Sequence, residues 1–209
     1  MGGFDLLFLL TVLVVLLGLA ALVVSLVARR RRVARALALA LAAWLLVYAL
    51  ALVGASLLSP ARLLAAGERR CYDDWCIAVQ SASARERIGD TRPNGRFVLV
   101  TVEVSNAARR SSQREWAVGL ALLGPDGSRL APSPAGQRAL ALEGGAGLPL
   151  DTLMDPLGRF KHVAVFEVPA ETRAVDVTVQ HGAFPGIVII GDEQSLLHRP
   201  TYTHLNLTP

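Results

Sequence analysis

Phe97-Val98-Leu99-Val100-Thr101-Val102-Glu103-Val104-Ser105-Asn106 decides the fold class of this chain. Val98, Val100, Val102 and Val104 fall on one face of a strand while Thr101, Glu103 and Ser105 fall on the other, the period of two that marks a half-buried β-strand. The valine face belongs in a core. Upstream, Ile77 and Val79 begin another strand, and Arg92-Pro93-Asn94-Gly95 supplies turn chemistry, Asn-Gly suiting the positive φ values of a tight hairpin. Downstream, a strand over residues 115–123 reaches Gly124-Pro125-Asp126-Gly127, a turn whose return strand carries Arg129 and Leu130. Glycine and proline accumulate between residues 131 and 149, which predicts a mobile loop across one end. Residues 160–168 and 175–180 alternate again, with Phe166, Val168, Val175, Val177 and Val179 inward, and residues 187–190 and 201–207 add short strands to the tail. Short strands at this spacing predict an antiparallel sandwich of immunoglobulin type.

The long strand ending in Asn106, the turn Gly124-Pro125-Asp126-Gly127 and the late strand Val165-Phe166-Glu167-Val168-Pro169 together resemble an uncharacterised family of bacterial extracytoplasmic immunoglobulin-like domains. That family is similar in fold to the small secreted immunogenic antigen of mycobacteria. The resemblance covers residues 77–180. It implies a fold and an extracytoplasmic location, and it brings no catalytic residues. Its members are more often lipoproteins or single-span proteins, and a cysteine loop like the one at residues 71–76 lies outside their pattern.

The front of the chain is different. The 209 residues are 53% hydrophobic and 18% charged, with a mean hydropathy of +0.44, too apolar for an ordinary soluble domain. Residues 6–28 carry no charge and residues 36–58 carry none, so each run exceeds the roughly 20 apolar residues that a bilayer core requires. Between them stand Arg29, Arg30, Arg31, Arg32 and Arg35. Asp5 without any Lys or Arg before the first run is unlike a secretory leader, and the second run is longer than the usual leader core, although Val53-Gly54-Ala55 imitates a cleavage site. The expected organisation is a two-helix transmembrane hairpin at 1–58, a juxtamembrane linker at 59–70 and a β-sandwich domain at 71–209. Short arginine-rich loops stay cytoplasmic, so the N-terminus and the β-domain of a two-pass inner-membrane protein would both lie outside. Arg62, Arg69 and Arg70 pull the other way but are fewer and more dispersed.

Within the hairpin, Ala21 with Ser25, Ala36 with Ala40 and Ala51 with Ala55 stand at the spacing that lets helices approach closely, or recur by chance in spans rich in Ala and Leu. Trp44 and Tyr48 share a face near the middle of the second span and should pack on the first helix or on a partner. Neither span holds an acid, base or histidine between its ends, so no ion path is expected.

Cys71-Tyr72-Asp73-Asp74-Trp75-Cys76 holds the only two cysteines, and in an oxidising compartment a disulfide is their expected state; a zinc site or a redox pair are the weaker readings, lacking further ligands and C-x-x-C spacing. Tyr72 and Trp75 are candidate partner anchors, because exposed aromatics carry binding energy disproportionately. Asp73 and Asp74 read as solvated, as partners of Arg69 and Arg70, or as calcium ligands. Arg109 and Arg110 complete the candidate partner-binding set, since a planar guanidinium suits carboxylate or phosphate; a solvated face is the plainer reading.

Signatures of catalysis are missing: no G-x-S-x-G, no P-loop, no H-E-x-x-H, and Gly144-Gly145-Ala146-Gly147 lacks a strand-to-helix setting. His162 shares parity with Phe160 and Phe166 and should be partly buried, His198 and His204 should be solvated, and His181 with Asp192 and Glu193 is a conceivable site. The net charge of +4 comes largely from the arginine loop, which meets anionic headgroups rather than nucleic acid. The expected function is a membrane-anchored extracytoplasmic binding module without catalysis or cofactor. Its partners would be the lipid bilayer and an envelope protein or its own copies, with no small-molecule substrate. The alternatives are an accessory subunit recognised through its helices and, further off, an envelope hydrolase or metal-binding protein.

Overall fold

The computed structural model describes residues 3–182, 186–192 and 195–208. The chain divides into two compact units, one of residues 1–60 and 183–199, the other of 61–182 and 200–209.

The first unit is built on helices α1 (Gly3–Val27) and α2 (Arg31–Leu58), both long and apolar enough to cross a membrane. They are joined by a tight turn. Arg29 adopts φ 56°, its N–H donates to the Leu26 carbonyl at 3.0 Å, and the Arg30 N–H reaches back to Ser25 at 2.9 Å, which satisfies the carbonyls left open at the end of α1. The seam between the helices follows small residues seven apart. Thr11 and Ser25 are buried, Gly18 lies between them, and a Cβ on Gly18 would stand 2.5 Å from Leu41 of α2. Close approach through small residues is therefore present, and of the expected positions Ser25 takes part in it while Ala21, Ala36, Ala40 and Ala51 are exposed.

The second unit is a two-sheet sandwich. One sheet has the order β2 (Arg69–Tyr72), β3 (Trp75–Arg85), β4 (Arg96–Asn106), β7 (Arg159–Val168), all antiparallel. The other runs β1 (Arg62–Leu64), β9 (Thr201–Asn206), β8 (Ala174–Gln180), β5 (Gly119–Leu123), β6 (Arg129–Leu130), with β1 parallel to β9. Val98, Val100, Val102 and Val104 are fully buried in one core with Leu120, Phe166, Val177 and Leu205, so the inner faces of both sheets meet on the valine face. The stretch read as a linker already holds β1 and the start of β2, and Leu64 is buried.

Three expectations need correction. Residues 131–149 contain the helix α3 (Pro134–Leu142), started by Ser133, whose side chain accepts from the Gly136 N–H, and by Pro134 at the first turn. Helix α3 covers the second face of β4 and β7, where Phe97, Leu99, Val165, Ile88, Ala139 and Leu140 form a smaller core. Gln137 clamps the outer edge of β7, donating to the Val163 carbonyl at 2.8 Å and accepting from the Val165 N–H at 3.0 Å. Second, Asn94-Gly95 is not a two-residue hairpin; β3 and β4 are joined by residues 86–95 with an internal Ile88–Thr91 bridge. Third, residues 187–190 are not a strand: Gly186–Val188 is a 3₁₀ turn.

Candidate functional site

The end of the sandwich at which β4 finishes gathers most of the chemistry that the sequence singled out. There Cys71 and Cys76 face each other across β2 and β3, bonded and with Cα atoms 4.0 Å apart. The disulfide closes a hairpin whose turn is Asp73-Asp74, with Asp73 at φ 58°. Because β2 is the edge strand, the bond holds an element with one neighbour. Cys71→Ser with Cys76→Ser is expected to lower unfolding free energy by about 2 kcal/mol, the loop-entropy value for so short a ring. Urea unfolding of the parent with and without reductant, set beside the double variant, checks this; identical midpoints in all three would remove the disulfide from the account of stability.

Tyr72 is half-buried and stacks on His181 at 4.3 Å with ring planes 7° apart, and the Arg70 guanidinium lies 4.9 Å from the centroid of the Tyr72 ring. Nε2 of His181 is 3.0 Å from Oε2 of Glu115, an ion-pair distance that is not aligned as a hydrogen bond. His181 thus works with Tyr72 and Glu115; of its expected companions, Glu193 lies outside the described residues. Trp75 corrects the expectation of an exposed anchor. It is 2% exposed, in phase with Ile77 and Val79, and belongs to the sandwich core. Asp73, Asp74, Arg109 and Arg110 are exposed on adjoining loops, tied by the bond from the Ala107 N–H to the Asp74 carbonyl at 2.7 Å.

Asn106 organises the loop carrying the two arginines. It is buried, its Nδ2 donates toward the carbonyls of Ser111 (2.9 Å), Asp155 (3.1 Å) and Met154 (3.3 Å), and its Oδ1 accepts from the Ala108 N–H at 2.9 Å. Further along this connection stands a residue that the strand reading of 115–123 hid. Trp116 is 73% exposed, and the Arg114 guanidinium lies 3.4 Å over its ring while Nη2 of Arg114 donates to Oδ2 of Asp151 at 3.0 Å. The strand β5 begins only at Gly119, so Trp116 sits on a loop.

No family model matches the chain, and no curated protein does. Solved structures do match it, in fold. The secreted protein MPT63 of Mycobacterium tuberculosis is 11% identical, with 70% of this chain and 98% of that one covered and a TM-score of 0.44. A conserved hypothetical protein of Bacillus anthracis is 15% identical over 55% of this chain and 88% of its own, TM-score 0.43. An uncharacterised β-sandwich protein of Clostridium difficile is 8% identical over 70% and 95%, TM-score 0.39. The mycobacterial protein is the secreted antigen to which the family resembled by the strand succession is similar in fold.

The remaining histidines are placed singly. His162 is half-buried, with Nδ1 2.9 Å from the Leu148 carbonyl; burial pulls its pKa below the usual value, and that hydrogen bond works against the shift. His204 Nδ1 is 2.7 Å from Oδ1 of Asp176, on the rim of an open groove of about 660 Å³ lined by Leu122, Leu130, Val168 and Pro169 at the opposite end of the sandwich. Among the described residues no three His, Cys, Asp or Glu side chains converge as a metal-ligand group.

Proposed function

We propose that this chain is a bilayer-anchored binding module whose immunoglobulin-like sandwich stands on the extracytoplasmic side of a bacterial envelope. It acts by holding another envelope protein or a second copy of itself, not by catalysis. Trp116 carries this reading: a tryptophan 73% exposed to solvent, stacked under Arg114, on a loop anchored to a rigid sandwich. Trp and Arg are the residue types that dominate interface energetics, and the acids Asp73 and Asp74 with the bases Arg109 and Arg110 supply charge for steering a partner. The side of the membrane follows from Arg29, Arg30, Arg31, Arg32 and Arg35 in the turn between the helices, which favour the cytoplasm.

The test uses the full-length chain in cells. A photo-crosslinking residue at Trp116 is expected to yield a discrete adduct with one envelope protein or with a second copy, and Arg114→Glu is expected to abolish it. No adduct, or one indifferent to Arg114→Glu, would sink the binding role of this surface. Trp44, exposed on α2, favours the second reading of recognition through the helices; the same reagent there, capturing the partner that Trp116 does not, would select it. Lys161 is the sole lysine and is exposed, so a membrane-impermeant amine reagent should mark it in intact spheroplasts and leave Lys161→Arg unmarked at that position. Protection of Lys161 until lysis would invert the topology.

A further inference from the structure

The segment between β8 and β9 groups with the helical unit, not with the sandwich. Its sequence is apolar where it begins, Gly186-Ile187-Val188-Ile189-Ile190, and again at Leu196-Leu197, and no charged residue occurs from 182 to 191. Two hydroxyls of α2 fix its depth. Tyr48 donates its phenol O–H to the Val188 carbonyl at 2.7 Å. Ser56, fully buried, donates to the Leu52 carbonyl at 2.8 Å, so the 2.8 Å contact between its Oγ and Ser195 Oγ is donated by Ser195. Gly191 lies at the start of α1, where a Cβ would be 3.5 Å from the Phe4 ring.

At a rise of about 1.5 Å per residue, Tyr48 is about 15 Å from the Leu58 end of α2 and Ser56 only about 3 Å. Set against a hydrocarbon core of about 30 Å, Val188 reaches roughly half-way through while Ser195 is at the outer edge. Val188 therefore lies deeper along α2 than Ser195. Hydrocarbon tolerates such irregular backbone only where its polar groups are satisfied within protein. Here the Ile189 N–H donates to Gly186 at 3.0 Å, the Leu196 N–H to Ile187 at 3.2 Å and the Ser195 N–H to Asp192 at 3.0 Å, and Tyr48 takes the Val188 carbonyl. Ile189 and Ile190 are buried, whereas Ile187, Leu196 and Leu197 are exposed. The polar groups named here are paired within the protein while Ile187, Leu196 and Leu197 face out, the arrangement of a segment solvated by lipid.

We propose that residues 186–192 and 195–197 belong to a re-entrant loop in the outer leaflet, with Ile187, Leu196 and Leu197 against lipid acyl chains. This rests on the reading of α1 and α2 as membrane spans. The full chain reconstituted in phosphatidylcholine nanodiscs, with a diazirine on the lipid acyl chain, gives the test: adducts are mapped by mass spectrometry after photolysis. Adducts are expected on lipid-facing positions of the helices such as Leu16 and Val47 and on Ile187, Leu196 or Leu197, and none on Ala174–Gln180 of β8. Labelled helices with an unlabelled loop would overturn the loop and leave the spans standing; unlabelled helices would overturn the spans and the loop together. In intact cells, an impermeant maleimide should label Ser112→Cys and fail to label Ile187→Cys until detergent is added. Equal labelling of the two would equally refute insertion.

Discussion

Phe97→Ala is expected to lower the unfolding free energy of the sandwich by about 3–5 kcal/mol, the range for removing a fully buried aromatic ring. Phe97 has no exposed surface and lies between the outer face of β4 and α3, with Ile88, Leu99, Ala139, Leu140 and Val165 around it. Its ring also sets how near the helix comes: a Cβ on Gly136 would be 2.9 Å from Phe97 Cε1 and 2.6 Å from Val165 Cγ1, so the backbone of α3 rests directly on these side chains. A cavity here cannot be filled from the sandwich core, which is on the other side of β4. Part of the loss should therefore appear as release of α3, with amides of 137–142 exchanging faster than those of the valine strand. Urea unfolding in detergent and hydrogen exchange read the two effects separately. A variant within about 1 kcal/mol of the parent, in the range of ordinary surface changes, would mean that α3 does not pack as described.

The same strand explains what could and could not be read in advance. Val98, Val100, Val102 and Val104 announced the sandwich face, because a period of two with one β-branched side is the property that a half-buried strand requires. Phe97 and Leu99 broke that alternation on the other parity, and two large apolar residues on a nominally solvated face imply a further layer. The layer went unread because residues 131–149 hold enough glycine and proline to suppress a helix of nine residues, although Ser133-Pro134 is a start signal in its own right. Residues 187–190 have the composition of a strand, but β8 and β9 already pair with each other, leaving no place in that sheet between them. The candidate site divides along similar lines. Trp75 shares phase with Ile77 and Val79 and could have been assigned to the core from parity, whereas the stacking of Tyr72 on His181 joins residues distant in sequence that no local pattern relates. Trp116 was hidden by a strand placed four residues too early, since Glu115, Trp116 and Val118 look extended until Gly119 is seen to open β5.

Asn106→Ala should cost about 2 kcal/mol, because one buried side chain serves several main-chain groups, and the buried N–H of Ala108 loses its acceptor. Deleting it strands the N–H of Ala108 and takes a donor from the carbonyls of Ser111, Met154 and Asp155, of which the last two keep the N–H groups of Gln113 and Gly158. The isosteric change is the sharper test. Asn106→Asp keeps the acceptor for Ala108 but turns the donating amide toward carbonyls as a second oxygen, so a buried carboxylate would face partners that repel it. Its folded-state pKa must then lie above the unfolded value, and stability that is present when the group is protonated is lost as pH rises through that pKa. Asn106→Asp is therefore expected to be at least as unstable as Asn106→Ala at pH 7 and to recover as the pH falls toward 4, whereas the pH dependence of Asn106→Ala should follow the parent. Equal stability of parent and Asn106→Asp at pH 7 would show that the amide is not donating. The functional consequence follows from connectivity. Asn106 ties down the backbone at Ser111, three residues before Arg114, so the adduct from the crosslinking residue at position 116 should weaken in Asn106→Ala even though that residue and Arg114 are both in place. An undiminished adduct would mean that the tryptophan loop is ordered by the contact of Arg114 with Asp151 and not from the end of β4.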